Sequence, residues 1–191
     1  ARNSYMLQQG TFAADIAYLL NEGAPTTMPI WGEGLTPALP EGYDFDYINA
    51  DVLLNLMTVN ADGKLSLPSG MTYELLVLPP TDKMTLPVLS KLHSLAAAGA
   101  RISGQRPLTT PGLTGFPKSQ EEFNKLVSEL WSDLDGVSRT RRTFGKGKVY
   151  WGVQPGRILE LSDISPDVVF NTVSDEISWI HQRTRDEDIY F

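Results

Sequence analysis

Residues 73–103 constrain the fold most. The run Tyr73-Glu74-Leu75-Leu76-Val77-Leu78 becomes continuously apolar after Glu74 and is stopped by Pro79-Pro80, so it reads as a buried strand. Thr85 then opens a helix from Leu86 to Ala98, with Pro87 in its first turn and Gly99 as its stop. Leu89, Leu92, Leu95 and Ala96 give that helix one apolar stripe. Ala100-Arg101-Ile102-Ser103 follows as another strand. Two short apolar strands joined through a helix require a parallel pair, and a parallel sheet needs helices to cover it.

The flanking sequence repeats this alternation. Residues 15–20, Asp-Ile-Ala-Tyr-Leu-Leu, read as a buried first strand, and residues 23–42 as a long Pro- and Gly-rich loop carrying Trp31. Tyr43-Asp44-Phe45-Asp46-Tyr47 alternates strictly, which puts three rings on one side of a strand and two carboxylates on the other. Asn49 is placed to cap a short helix with Asp51 in its first turn. Asp62-Gly63 marks a hairpin turn. Residues 104–117 are loop, and Ser119 with Glu122 has the spacing of a capping box before the helical series Phe123, Leu126, Val127, Leu130, Trp131 and Leu134. Residues 145–152 read as a turn entering a strand. The pattern predicts an α/β fold, a three-layer sandwich with helices on both faces of a mainly parallel sheet, over residues 1–155. Residues 156–191 are expected to be a C-terminal extension, ending in a hairpin around Arg183-Thr184-Arg185-Asp186 that leads towards a neighbouring domain.

Charge and composition exclude several functions. The net charge of -7 argues against nucleic-acid binding, and residues 1–63 contain Arg2 as their only Lys or Arg. The absence of cysteine removes disulfides, thiolate metal sites and a cysteine nucleophile. No apolar run is long enough to span a membrane, and no signal peptide opens the chain. The opening Ala1-Arg2-Asn3-Ser4-Tyr5, without an initiator Met, reads as an internal segment.

Several residues invite a chemical reading. Asp44 and Asp46 would stand about 7 Å apart on one strand face, within the span of an inverting glycosidase pair, although any Asp-x-Asp strand gives that spacing. Asp44, Asp46, Asn49 and Asp51 are oxygen donors, but they lack the spacing of a calcium loop. No metal and no cofactor is expected. His93, beside an apolar helical stripe, reads as a boundary histidine. Arg139, Arg141, Arg142, Lys146 and Lys148 form a basic cluster whose plain interpretation is a solvated face or inter-domain salt bridges. Trp31 suits either loop packing or stacking on a sugar.

The segments Tyr5-Met6-Leu7-Gln8-Gln9-Gly10 with Ala14-Asp15-Ile16-Ala17-Tyr18, residues 42–53, residues 71–79, residues 145–152 and Ile180-His181-Gln182-Arg183-Thr184 followed by Asp188-Ile189-Tyr190-Phe191 together resemble glycoside hydrolase family 106, the α-L-rhamnosidases. The resemblance implies a multi-domain parent with a catalytic barrel, a flavodoxin-like domain similar to class I glutamine amidotransferases after it, and β-sandwich domains later. This chain corresponds to that middle domain. True amidotransferases need a cysteine at the turn after a central strand, where this sequence has Pro79-Pro80, so their chemistry is absent. The resemblance therefore implies an accessory domain without catalytic residues, in a periplasmic or extracellular protein. Asp44, Asp46, Trp31 and Asn49 are candidates for the rim of the parent's rhamnose-glycan site, and His181, Arg183 and Asp188 for inter-domain contacts. Homo-oligomer contacts are a further implied role, and an independent carbohydrate-binding module is the alternative.

Overall fold

The computed structural model describes residues 2–24, 26–28, 34–171 and 177–191. Along the chain run α1 (Arg2–Met6), β1 (Thr11–Phe12), β2 (Ile16–Leu19), β3 (Phe45–Ile48), α2 (Ala50–Asn55), β4 (Thr58–Val59), β5 (Leu65–Ser66), β6 (Thr72–Tyr73) and β7 (Leu75–Val77). Then come α3 (Leu86–Ala98), β8 (Arg101–Ser103), α4 (Lys118–Trp131), β9 (Arg141–Phe144), β10 (Gly147–Tyr150), α5 (Pro155–Glu160), β11 (His181–Arg183) and β12 (Asp188–Tyr190).

The described residues form a six-stranded sheet in the order β3-β2-β7-β8-β10-β9. All neighbours in it are parallel except the β9–β10 hairpin at one edge. Numbered among themselves, the five parallel strands lie in the order 2-1-3-4-5. Two small antiparallel sheets accompany it: β4-β5-β6, which meets α3 through β4, and β1-β11-β12 from the two ends of the chain.

Strand alternation sorts the core into two clusters, one on each sheet face. Ala17, Leu19, Leu76, Ile102 and Val149 point to the side where α2, α3 and α4 bury Leu53, Leu92 and Trp131. Ile16, Tyr18, Leu75, Val77 and Tyr150 point to the other side and meet Tyr43, Leu35 and the α5 residues Ile158 and Leu159. The second face thus carries one six-residue helix where the first carries three, α2, α3 and α4. Pro155 at the first turn of α5 sets its start.

Local signals decide most boundaries. The Asn49 side chain accepts from the Val52 N–H at 2.9 Å and caps α2 as the sequence predicts. The β4–β5 hairpin closes over Asp62-Gly63, with Gly63 at φ +80°. Thr85 occupies the capping position of α3 without capping it. Its N–H and hydroxyl instead both donate to the Glu22 carboxylate, at 2.9 and 2.6 Å. The expected Ser119–Glu122 capping box does not form. The Pro117 turn already starts the helix at Lys118, which leaves Ser119 inside the first turn.

Candidate functional site

The N-terminal ends of three adjacent parallel strands each begin with a carboxylate: Asp15 before β2, Asp44 before β3 and Glu74 before β7. Backbone hydrogen bonds lock this row, from Asp15 N–H to Asp44 C=O at 3.0 Å and from Glu74 N–H to Asp15 C=O at 2.8 Å. Strand register therefore forces the three acids together whatever their mutual repulsion.

Their compensation is unequal. Glu74 is paired with Lys64 at 2.5 Å and with Arg101 at 3.2 Å. Asp44 takes one N–H, from Phe45, at 2.8 Å. Asp15 carries a buried Oδ2 with no hydrogen-bond partner among the described residues. Burial pushes the Asp15 carboxyl up to about 6, and the negative charges of Asp167, Glu74 and Asp44 push the same way against the Asp44 backbone amide. Asp44 is likewise raised to about 6, by burial first, with Asp167 and Asp46 adding to it and the Phe45 amide and His181 opposing.

The C-terminal hairpin closes over this edge. β11 pairs antiparallel with β1 and with β12, so Thr11 faces Arg183 and His181 faces Tyr190. His181 is fully buried. Its Nδ1 lies 2.6 Å from an Asp167 oxygen and its Nε2 lies 2.8 Å from Asp188 Oδ1. Both nitrogens donate when the ring is cationic. The Tyr190 ring stacks on the imidazole with centroids 4.3 Å apart and planes 18° apart. Arg183 Nε donates to Asp188 Oδ1 at 2.8 Å. That bond and the one from His181 hold the Asp188 carboxyl below the usual carboxylate range, and Asp188 in turn raises Arg183.

Two glycines permit this approach. Gly10, at φ +74°, lies so close to the Arg183 carbonyl that a Cβ would overlap it. Gly42, at φ +78°, stands in the same relation to the Val168 carbonyl and brings the segment bearing Asp167 against β3. The outcome is an open polar cleft of about 460 Å³, lined by the acids Asp15, Glu74 and Asp167 and by the cations Lys64, Arg183 and Arg185. It has donors and acceptors of both signs, suited to a hydroxyl-rich or charged ligand. Among the described residues no three His, Cys, Asp or Glu side chains are arranged to hold a metal ion.

The residues singled out from sequence separate here. Asp44 lies at the acidic edge, in electrostatic range of His181, and Arg183 lines the cleft itself. Asp46 is already engaged by the Tyr73 hydroxyl at 2.9 Å and by the Tyr47 N–H at 2.8 Å. That contact and burial together raise the Tyr73 phenol. Asn49 is at the opposite end of β3, occupied in capping. Trp31 lies outside the described residues. His93 sits between α3 and α4, its Nε2 2.7 Å from Glu129. Sequence reasoning missed Asp15 and Asp167. Asp15 was visible as an acid opening an apolar run, whereas Asp167 has no local signal.

At the C-terminal edge of the sheet, where doubly wound folds hold ligands, Pro79-Pro80 follows β7 and the Glu22 carboxylate is bound to Thr85.

The model of the glycoside hydrolase family 106, described as alpha-L-rhamnosidase, matches residues 1–191. The chain belongs to that family. A "Putative beta-glucuronidase" of Formosa agariphila is 32% identical over the whole of this chain, which spans 15% of that relative. A rhamnosidase structure from Novosphingobium sp. PP1Y superposes on 99% of the chain with a TM-score of 0.83 and 29% identity, and 18% of its own length is covered. The family 106 chain is therefore equivalent to a small part of each of these relatives.

Proposed function

We propose that this chain is a non-catalytic accessory domain of a larger α-L-rhamnosidase-type glycoside hydrolase, bracing the catalytic part of the parent. The observation that carries this reading is the size relation: the chain is matched end to end by segments making up 15% and 18% of two much longer proteins. The strand order 2-1-3-4-5 favours a flavodoxin-like, amidotransferase-like ancestry. The cysteine that amidotransferase chemistry needs is missing from the sequence. The cleft edged by Asp15, Asp167 and Arg183, with Asp44 behind it, is the surface that faces the rest of the parent polypeptide or the rim of its glycan site. His181 and Asp188 hold that surface in shape rather than contacting substrate. A rhamnose-containing glycan, homo-oligomer contacts and a periplasmic or extracellular location belong to this same proposal.

The polar cleft itself favours one alternative, an independent carbohydrate-binding module. Variants of the full-length protein separate catalysis from bracing. Asp15→Asn and Asp44→Asn should leave kcat on an aryl α-L-rhamnoside within about twofold, whereas loss of a general acid or base costs roughly 10²–10⁴. A loss of the latter size would overturn the accessory role. Rhamnoside binding by the chain alone, without turnover, would favour the binding module.

A further inference from the structure

Among the described residues of a chain with net charge -7, four cations around one hairpin have no counter-charge. Among the described residues, Arg141, Arg142, Lys146 and Lys148 take part in no ion pair or side-chain hydrogen bond, whereas neighbouring Arg139 is bound to Asp133 at 2.6 Å. All four belong to or directly adjoin the β9–β10 hairpin.

The register sets their arrangement. Thr143 lies opposite Lys148, and Arg141 opposite Tyr150. Cross-strand partners share a sheet face, so Arg141, Thr143 and Lys148 stand on the face that carries Tyr150. That is the face covered by the six-residue α5, whose buried Ile158 and Leu159 meet Tyr150 in the second core cluster. Beyond α5 the sheet edge is left open. Arg141, Thr143 and Lys148 are exposed there, and with Arg142 and the 40% exposed Leu161 they line a concavity of about 430 Å³.

Resting on the reading that the parent degrades glycans, we propose that this concavity binds the carboxylate groups of an acidic glycan chain. The guanidinium fork of Arg141 matches a carboxylate bidentately, and Lys148 adds a point charge beside it. The Thr143 hydroxyl suits a sugar hydroxyl. Leu161 offers an apolar contact for the C–H face of a ring.

The test is calorimetric titration of the full-length protein with polygalacturonate, its carboxyl-reduced form and polyglutamate. Polygalacturonate should bind, with affinity falling at least roughly tenfold between about 50 mM and about 500 mM salt. Arg141→Gln or Lys148→Gln should weaken it about fivefold to tenfold each, and Arg141→Lys less than Arg141→Gln. The carboxyl-reduced polymer should not bind. Equal binding of the reduced polymer, undiminished binding by the variants, or no binding at low salt would each overturn the proposal. So would polyglutamate binding as tightly as polygalacturonate, which would make the face a docking site for acidic protein. Hydrolysis of a neutral aryl α-L-rhamnoside should be unchanged in these variants. If they fail to fold, the comparison of native and reduced polymer on the unmodified protein still decides. Failure of the accessory reading would appear separately, in the Asp15 and Asp44 variants.

Discussion

Asp15→Asn should make the chain more stable at neutral pH. Asn keeps the shape of Asp15 and removes a charge that burial and the nearby Asp167, Glu74 and Asp44 all disfavour. The carboxyl moves from 3.8 to about 6 on folding. At about 1.4 kcal/mol per unit that is a penalty of ~3 kcal/mol as a ceiling. Asp15 is only partly buried, and solvent screening reduces the net effect to roughly half of that, ~1.5 kcal/mol. The sign follows from proton linkage. Between the unfolded and folded pKa values the folded state binds more protons, so stability falls as pH rises from about 4 to about 6 and stays reduced above that. Urea denaturation of both proteins near pH 7.5 and near pH 4 reads the effect. The gain should be large at the higher pH and shrink to a fraction of it at the lower. A variant no more stable than its parent at neutral pH, or one whose gain is the same at both values, would refute the reasoning.

Three other substitutions probe what holds the cleft. His181→Ala empties a buried site and removes the ring that links Asp167 and Asp188, and roughly 1–3 kcal/mol should be lost in denaturant titration, with faster proteolysis of the β11–β12 hairpin. Gly42→Ala sets a Cβ against the Val168 carbonyl at φ +78°, and thermal unfolding should show a loss of roughly 1–3 kcal/mol. Tyr73→Phe removes the hydroxyl that reaches Asp46, and should cost about 1–2 kcal/mol in urea.

The parts of this fold that are legible in sequence are those decided within a few residues. β2, β7 and α3 follow from apolar runs, Pro79-Pro80 and Gly99, and β3 from the alternation of rings and carboxylates. The Asn49 cap and the Asp62-Gly63 turn follow from side-chain chemistry. α5 had a signal that was available and unused, Pro155 after a polar residue. The cleft was less legible, because it depends on pairings across the whole chain. β1 and β11 are two and three residues long and about 170 positions apart, too short to show periodicity. Asp167 meets His181 only because Gly42 lets residue 168 approach. Asp46 illustrates the converse case. Its spacing from Asp44 looked chemical, yet Tyr73 on the adjoining small sheet occupies it.

Hydrolysis of a chromogenic α-L-rhamnoside tests the central claim most directly, measured on this chain alone, on the full-length protein, and on the full-length protein lacking this segment. The account predicts no turnover by the chain and turnover by the full-length protein, with loss of stability or activity on deletion. Turnover by the isolated chain, abolished by Asp15→Asn or Asp44→Asn, would contradict it.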